Sequence, residues 1–343
     1  MGAEAGARFV TTFWFERRVL VTGATGIVGS WLTAELLARG AVVTALVRDG
    51  DPQAEFFSAG LSGRCSIVNG DLSRFEDCSR AINSSESSVV FHLGAQTIVG
   101  AALRDPLETF ESNIRGTYNL LEAARRLPTL VEAIVVASSD KAYGDLDGAA
   151  YDEDMPLAGR HPYDVSKSCT DLLATTYAHT YGLPLAIARC GNIYGGGDQN
   201  WSRIVPGTIR SIERGLAPQL RSDGTCIRDY IYVRDVVSAY LQLAEAIPNG
   251  AAGEAFNFSC ESRVSVLDIV RSIATIMRSD LEPVIHDSAR YEIPEQTLSS
   301  EKAHRELMWF PTWTLDEGLR ETVTWHAAYF ERQNVREPAV VRR

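Results

Sequence analysis

Five residues in the middle of the chain have side chains suited to oxidising an alcohol and then moving protons beside the new ketone. Ser139, Asp140 and Lys141 are consecutive, and Tyr163 and Lys167 follow downstream. Residues four apart lie on one face of a helix, so we expect the phenol of Tyr163 and the amine of Lys167 to be neighbours. Because a nearby ammonium favours the phenolate, we expect the pKa of Tyr163 to lie well below its usual value of about 10.

A Tyr-x-x-x-Lys spacing is common by chance, and its value here comes from a glycine-rich segment upstream. Residues 22–30 read TGATGIVGS, after an apolar run at 18–21 and before a segment of helical spacing at 31–37. A glycine turn between a strand and a helix is the setting of a dinucleotide-binding motif, because the glycines let the backbone approach a pyrophosphate at the helix N-terminus. The alternative is a glycine-rich turn that binds no ligand.

Short β-rich runs alternate with helical patterns through the first half of the chain. This alternation predicts an α/β fold with a doubly wound parallel sheet and right-handed crossovers. The predicted strands are 18–22, 42–47, 65–68, 88–92, 132–137 and 185–189, and the predicted helical segments lie near 28–39, 74–82, 104–126 and 163–181.

The regular alternation ends near residue 190, where the chain becomes richer in Gly, Pro and Arg. We therefore predict a dinucleotide-binding Rossmann domain at 13–190, which holds the Tyr/Lys pair, and a smaller, mainly substrate-binding part at 191–330. Strands near 229–233 and 255–258 are expected to return to the main body.

Composition limits the classes of partner. The net charge of −11 over 343 residues argues against a nucleic-acid partner, because such partners require basic surfaces. The six cysteines form no C-x-x-C motif and the six histidines form no H-E-x-x-H motif, so we expect neither a disulfide framework nor a metal site. No apolar run approaches the length of a membrane span. These features predict a soluble, cytoplasmic enzyme without a membrane partner.

Read together, these segments resemble the extended short-chain dehydrogenase/reductases, specifically the nucleotide-sugar epimerase/dehydratase family and most closely its CDP-glucose 4,6-dehydratases. The Asp140-Lys141 pair is the most specific part, because the related dTDP-glucose dehydratases have Asp-Glu there and the epimerases generally lack both. The likeness covers about residues 13–330 and is carried by Phe13-Trp14, the glycine turn, His92-Leu93-Gly94-Ala95-Gln96, DPLETFESNIRGTYNLLEAAR at 105–125, HPYDVSKS at 161–168, GNIYGGGD at 191–198, EQTLSSEKAHREL at 295–307 and LDEGL at 315–319.

The resemblance implies a tightly bound NAD(P) cofactor. Asp71 would accept a hydrogen bond from the adenine amino group, with an ordinary helix-capping aspartate as the alternative. Arg48 ends the second predicted strand, where an arginine accommodates a 2′-phosphate, and this slightly favours NADP; an exposed Arg48 beside a functional Asp49 is the alternative. The cofactor positions carried over by motif are Gly23, Thr25, Gly26, Ile27, Asp71, Leu72, Ala95, Gln96 and Asn113.

The resemblance also implies ligands for a nucleotide-sugar substrate. Asn192 and Arg228 match ligands of the substrate diphosphate, and Arg203 and Arg290 are further candidates. A guanidinium can bind phosphate oxygens through two parallel hydrogen bonds. For Arg203 and Arg290, a plain surface arginine is an equal alternative.

Two departures from the CDP-glucose pattern leave the nucleotide base open. The glycine turn has Ala24 and Ile27-Val28 where that branch typically has a histidine and a Phe-Lys, and residues 228–235 read RDYIYVRD, which is the general family pattern.

Two further residues, His92 and Cys190, are interpreted as packed structural side chains.

The mechanism that the resemblance implies has three steps. Tyr163, assisted by Lys167 and aligned by Ser139, removes the proton of the sugar 4-OH while the hydride of C4 passes to the nicotinamide. Lys141, as a neutral amine, then takes the C5 proton, and Asp140, in its protonated form, donates to the departing 6-OH. Return of the hydride to C6 gives a 4-keto-6-deoxy sugar.

Two other functions remain open, and one assembly is expected. A nucleotide-sugar 4-epimerase would use the same tyrosine without acid/base groups for C5 and C6, and a non-catalytic cofactor-sensing protein would need neither set. By the resemblance, the helices near 104–126 and 163–181 form the four-helix bundle of a homodimer, with Leu172, Leu173 and Tyr177 as apolar contacts.

Overall fold

A seven-stranded parallel sheet forms the centre of the molecule in the computed structural model, which describes residues 13–146, 150–288 and 292–336. Its strand order is β11-β6-β5-β4-β1-β2-β3. The described strands are β1 Arg18–Thr22, β2 Val42–Val47, β3 Ser66–Asn69, β4 Val89–His92, β5 Ala133–Ala137, β6 Leu185–Cys190, β7 Asn192–Tyr194, β8 Gln219–Leu220, β9 Ile227–Arg228, β10 Tyr230–Tyr232, β11 Ala255–Phe258, β12 Val264–Ser265, β13 Val284–Ile285 and β14 Glu295–Gln296.

The central strands are short runs of apolar and β-branched residues, such as RVLVT in β1 and AIVVA in β5. Such runs suit a parallel sheet that is covered on both faces, and apart from its first residue β1 is fully buried. All six strand pairs of the sheet are parallel, as in β1 with β2 and β1 with β4. The predicted doubly wound α/β fold is therefore confirmed.

Helices cover both faces of the sheet. The longest early helix, α7, begins with a proline at its first position and ends at Gly182 with φ of 66°, which are common start and stop signals. The described α-helices are α1 Ile27–Ala38, α2 Glu55–Ser58, α3 Phe75–Ser85, α4 Val99–Arg104, α5 Pro106–Phe110, α6 Gly116–Arg125, α7 Pro162–Tyr181, α8 Ile204–Glu213, α9 Val233–Ala246, α10 Val266–Ile276, α11 Glu301–Leu307 and α12 Leu315–Arg336.

The single helical segment predicted near 104–126 is wrong in detail. Asp105 ends α4 and caps α5 through its side chain, which accepts from the Glu108 amide at 3.0 Å. A π-helical turn at Glu111–Arg115 then separates α5 from α6. Such turns are rare and are found frequently at functional sites.

The residues after β6 form several small sheets, and they also complete the main one. β10 pairs with β7, β9 pairs with β12 and β14, and β8 pairs with β13. Of the two strands expected to return to the main body, β11 joins the large sheet beside β6, whereas β10 pairs only with β7. No described helix is long and apolar enough to cross a membrane.

A buried ion pair, Arg189 with Asp171, connects β6 to α7. Arg189 donates to both carboxylate oxygens of Asp171, at 2.9 and 2.8 Å, and the two residues are 5% and 0% exposed. The same guanidinium donates to the hydroxyl of Tyr143, at 2.7 Å, which in turn donates to Asn257 on β11 at 2.8 Å. These bonds join four segments that are far apart in sequence.

We expect Arg189→Met to lower the free energy of unfolding by about 3–5 kcal/mol, because it leaves the Asp171 carboxylate buried without its partner. Equilibrium unfolding in urea measures this loss. Arg39→Met is the matched control, since Arg39 forms an exposed pair with Glu35 and such pairs contribute about 1 kcal/mol or less. Equal losses in the two variants would contradict the expected role of the buried pair.

Candidate active site

The glycine turn between β1 and α1 has the shape that a pyrophosphate site requires. Gly23 has φ of +70°, and a Cβ added at Gly29 would lie 2.1 Å from the Gly23 carbonyl oxygen. Only glycine fits at these two positions. Gly26 is the N-cap of α1, no described side chain caps that end, and the first turn contains no acidic residue. The first amides of α1 are thus available to an anion, and the turn fits a dinucleotide.

The predicted adenosine side lies at the ends of β2 and β3. Arg48 donates to the Asp49 carboxylate at 2.6 Å, and both side chains are at least half exposed. This hydrogen bond is the largest cause that raises the pKa of Arg48, and the charge of Asp71 contributes to the same shift. Asp71 does not cap α3: its Oδ1 accepts from the Ser73 amide at 2.8 Å, within a turn.

The π-helical turn presents Asn113 to the end of β4. The Asn113 side chain accepts from the Gln96 amide at 2.7 Å and donates to the Gln96 carbonyl at 3.0 Å. It also donates to Ser166 on α7 at 2.9 Å, and Ser166 donates to the Tyr163 carbonyl at 2.7 Å. Asn113 therefore fixes the segment after β4 against the first turn of the helix that carries Tyr163.

Thr22, His92 and Thr117 form a chain of hydrogen bonds that ends at the carbonyl of Asn113. The sequence did not predict this chain. Thr22 accepts from two amides, so its own proton goes to His92 Nδ1, at 3.1 Å. His92 Nε2 then donates to Thr117 at 3.1 Å, and Thr117 donates to the Asn113 carbonyl at 2.6 Å. Burial lowers the pKa of His92 to about 3. His92 is neutral and structural, as interpreted from the sequence.

The turn after β5 brings three of the five predicted catalytic side chains together. Ser139 donates to Asp140 Oδ1 at 2.8 Å, and the Lys141 ammonium lies 3.0 Å from Asp140 Oδ2. Asp140 is 2% exposed. Lys141 also donates to the side-chain oxygen of Gln296. The resemblance included Gln296 in the matching segment 295–307 but gave it no role. The residues form a short helical turn, Asp140–Tyr143, whose start is capped by Ser139.

Tyr163 lies beside this turn, but its ionisation differs from the prediction. Burial raises the pKa of Tyr163 to about 12, whereas the charge of Arg203 and a hydrogen bond with Ser139 oppose the shift. The Lys167 ammonium donates to the Ala137 carbonyl at 2.8 Å. Burial lowers its own pKa to about 8. The expected lowering of the Tyr163 pKa by Lys167 is therefore wrong for this structure, because desolvation dominates.

Arg203 acts through its charge on Tyr163 and bonds to two other segments of the chain. It donates to Asp198 at 3.1 Å and to Thr97, just after the predicted cofactor residue Gln96, at 3.1 Å. It also lines a cavity of about 300 Å³ beside α8, together with Trp201 and the backbone after β8. Arg203 therefore lines the cavity and also acts through its charge on Tyr163.

The remaining predicted substrate ligands differ in accessibility. Arg228 is 7% exposed and donates to Glu292 at 2.7 Å and to the Ile293 carbonyl at 2.6 Å. Asn192, on β7, is half-buried, and its backbone N–H donates to the Asp229 carbonyl at 2.7 Å. Arg290 lies outside the described residues. The pairing of Arg228 with Glu292 joins residues 64 positions apart, which sequence spacing does not predict.

Comparison with known proteins agrees with this architecture. The NAD dependent epimerase/dehydratase family matches residues 19–259. The chain belongs to this family. As a family member, it is 31% identical over 339 residues to a CDP-glucose 4,6-dehydratase of Salmonella typhimurium, with 94% of each chain covered.

Two solved structures with different named activities have the same fold as this chain. The UDP-glucose 4-epimerase of Thermotoga maritima has a TM-score of 0.83 at 27% identity, covering 91% of this chain and 99% of the other. The dTDP-glucose 4,6-dehydratase of Bacillus anthracis, solved in complex with NAD, has a TM-score of 0.79 at 26% identity, covering 92% and 98%. Since one fold serves both activities, the reaction must be argued from the residues of the site.

Proposed function

We propose that the chain is a nucleotide-sugar 4,6-dehydratase of the CDP-glucose type. The observation that supports this most is the Asp140–Lys141 pair, which the turn after β5 holds next to Tyr163 and Ser139. Oxidation of a sugar hydroxyl needs only the tyrosine and the hydride acceptor. An acid and a base beside the tyrosine are needed when the C5 proton and the 6-OH must also leave the sugar, as the elements of one water.

The residues of the chain divide the proposed reaction between them. The glycine turn after β1 and the segment at Gln96 would hold NAD(P), which would supply an acceptor for the C4 hydride and its source at C6. Tyr163 takes the proton of the 4-OH, with Ser139 holding its oxygen and Arg203 favouring its anion. Lys141 removes the proton at C5, which the 4-ketone makes acidic. Asp140 gives a proton to the departing 6-OH, so one water leaves. With the hydride at C6 and the proton of Lys141 returned to C5, the product is a 4-keto-6-deoxy sugar.

The scheme requires Lys141 as a neutral amine and Asp140 as a carboxylic acid. Lys141 Nζ and Asp140 Oδ2 are 3.0 Å apart. Transfer of a single proton along this hydrogen bond converts ammonium and carboxylate into amine and carboxylic acid. The total charge of the buried pair does not change, so the base and the acid are produced together without exchange with solvent.

A nucleotide-sugar 4-epimerase is the second candidate, because Tyr163 and the cofactor site would serve it equally well. In an epimerase, no group is needed at C5 or C6, and the Asp140–Lys141 pair would have no chemical role. The non-catalytic alternative leaves the whole set without a role.

Incubation with a panel of CDP-, dTDP-, UDP-, GDP- and ADP-glucose tests the proposal. We expect loss of one water in the mass of the sugar nucleotide, with the CDP sugar preferred. A C4 epimer of unchanged mass would support the epimerase, and no conversion of any sugar would contradict both.

We expect the enzyme to retain its cofactor through purification, because the hydride returns to the same sugar and no exchange is needed. We propose NADP as the preferred form, since Arg48 stands at the end of β2 and is half exposed; Asp49, bonded to it, is the group that would favour NAD. Mass analysis of the nucleotide released by denaturation distinguishes them. Absence of nucleotide, with strict dependence on added cofactor, would contradict the retained cofactor.

We also propose a homodimer through the face formed by α4, α5 and α7. These helices pack together, and Leu103, Leu107 and Leu172 on them are 47%, 69% and 56% exposed. Light scattering at micromolar concentration should give the dimer mass, and Leu172→Glu should shift it toward the monomer. A monomeric mass for the unmodified protein would contradict this assembly.

A further inference from the structure

We propose that Gln296 is a positioning residue that aims the Lys141 amine at the substrate, an inference that rests on the proposed dehydratase function. Gln296 is 0% exposed, and its side chain contacts the catalytic turn at three points. Neither residue spacing nor a general motif for acid/base catalysis points to this glutamine, which lies 155 positions after Lys141.

The orientation of the Gln296 amide is fixed by its donor end. Its nitrogen donates to the carbonyl oxygens of Asp140, at 3.0 Å, and Gly144, at 3.3 Å. These two carbonyls lie at the start and just after the end of the short helical turn at 140–143. Because an amide oxygen cannot bond to a carbonyl, a flipped amide would lose both contacts. The oxygen of Gln296 is thereby directed to Lys141.

This arrangement restricts the direction in which Lys141 can react. An ammonium has three N–H bonds, and Asp140 and Gln296 each accept one of them. The orientation of the nitrogen toward the substrate therefore depends on these two acceptors, and Gln296 is one of them. Since fixed donors and acceptors decide whether reacting atoms meet in a productive geometry, removal of Gln296 should affect the proton transfer more than substrate binding.

Gln296 also connects the acid/base pair to the proposed diphosphate ligand. β14 pairs with β9 so that Gln296 lies opposite Arg228. Arg228 bonds to Glu292 and Ile293, at the beginning of the same segment. One short stretch of chain, 292–296, therefore holds Arg228 at one end and Lys141 at the other.

Titratable groups that face the Asp140–Lys141 pair come from several elements. Tyr163 and Asp164 lie on α7, with His161 just before it, Asp229 lies between β9 and β10, Cys190 ends β6, and Tyr151 lies in the segment before α7. Burial raises the pKa of Asp164, and the charges of Lys141 and His161 oppose that shift. A carboxylate placed at position 296 would add one negative charge to this set and would stabilise the ammonium form of Lys141.

Gln296→Leu and Gln296→Glu, made in the full-length protein, test the proposal with the sugar nucleotide that the unmodified protein converts. For Gln296→Leu, we expect exchange of the C5 hydrogen with solvent deuterium to slow by about 10²-fold, with KM and C4 oxidation little changed. For Gln296→Glu, we expect the pH at which the rate of C5 exchange reaches half its maximum to be higher than in the unmodified protein. Gln242→Leu, on α9, is the matched control and should behave like the unmodified protein.

Three outcomes decide between the possibilities. C5 exchange at the normal rate in Gln296→Leu would overturn the positioning role. If that variant does not fold, an unchanged pH profile in Gln296→Glu overturns it instead. Absence of a 4-keto-6-deoxy product with the unmodified protein would refute the proposed function itself, which is a separate result.

Discussion

Tyr163→Phe is expected to abolish oxidation of the sugar at C4, so that neither reduced cofactor nor 4-keto product forms. Removal of a positioned acid/base group lowers rates by about 10²–10⁴-fold. The tyrosine has the hydroxyl bonded to Ser139 and facing the charge of Arg203, which makes it the group for the 4-OH proton. Absorbance of the reduced nicotinamide and mass analysis of the sugar measure the two readouts.

The matched control for this variant is Tyr181→Phe, at the end of the same helix, where the ring is 54% exposed. It should leave turnover unchanged. The raised pKa of Tyr163, about 12, adds a pH expectation. Because the deprotonated form is the base and becomes more populated as pH rises, kcat/KM should increase through the alkaline range. Normal turnover in Tyr163→Phe would contradict its role as the base.

Lys141→Ala should separate oxidation from dehydration. Tyr163 and Lys167 remain, so C4 is still oxidised, but removal of the C5 proton should slow by about 10²–10⁴-fold. We therefore expect reduced cofactor to accumulate on addition of substrate, while the 4-keto-6-deoxy product fails to form. Stopped-flow absorbance, together with the mass of the sugar after quenching, measures both.

The control for Lys141→Ala is Lys302→Ala, which removes an amine paired with Glu254 away from the catalytic turn. Lys302→Ala should turn over normally. If Lys141→Ala does so as well, Lys141 is only a charged neighbour of the cleft, and the 4-epimerase becomes the better proposal. The pair of variants thus tests the one feature that distinguishes the two functions.

The parts of this protein that the sequence predicted depend on short-range patterns. The apolar runs identified all six early strands, because the inner strands of a parallel sheet that is covered on both faces are largely apolar; the edge strand β3 keeps only a short apolar centre, Ile67-Val68. The glycine turn follows from local backbone geometry, as the close approach of Gly29 to Gly23 shows. Ser139, Asp140 and Lys141 are consecutive, so one turn necessarily brings them together.

The parts that were missed depend on contacts between distant segments. Gln296 meets Lys141, and Glu292 meets Arg228, only because β14 pairs with β9. The raised pKa of Tyr163 depends on burial, and the four-residue spacing to Lys167 carries no information about burial. The π-helical turn at Glu111–Arg115 has a sequence that is typical of continuous helix, and Asn113 in it bonds to Gln96, after β4, and to Ser166 on α7.

Trp201 gives the cavity beside α8 a fluorescent side chain. Its indole lines the cavity with Arg203, lies 4.9 Å from the Arg210 guanidinium and stacks on Phe330 at 5.8 Å. Indole emission responds to nearby charge and polarity, and a diphosphate drawn to Arg203 alters both. Intrinsic fluorescence should therefore report occupation of the cavity directly, without a label, and Trp201→Phe should remove the signal.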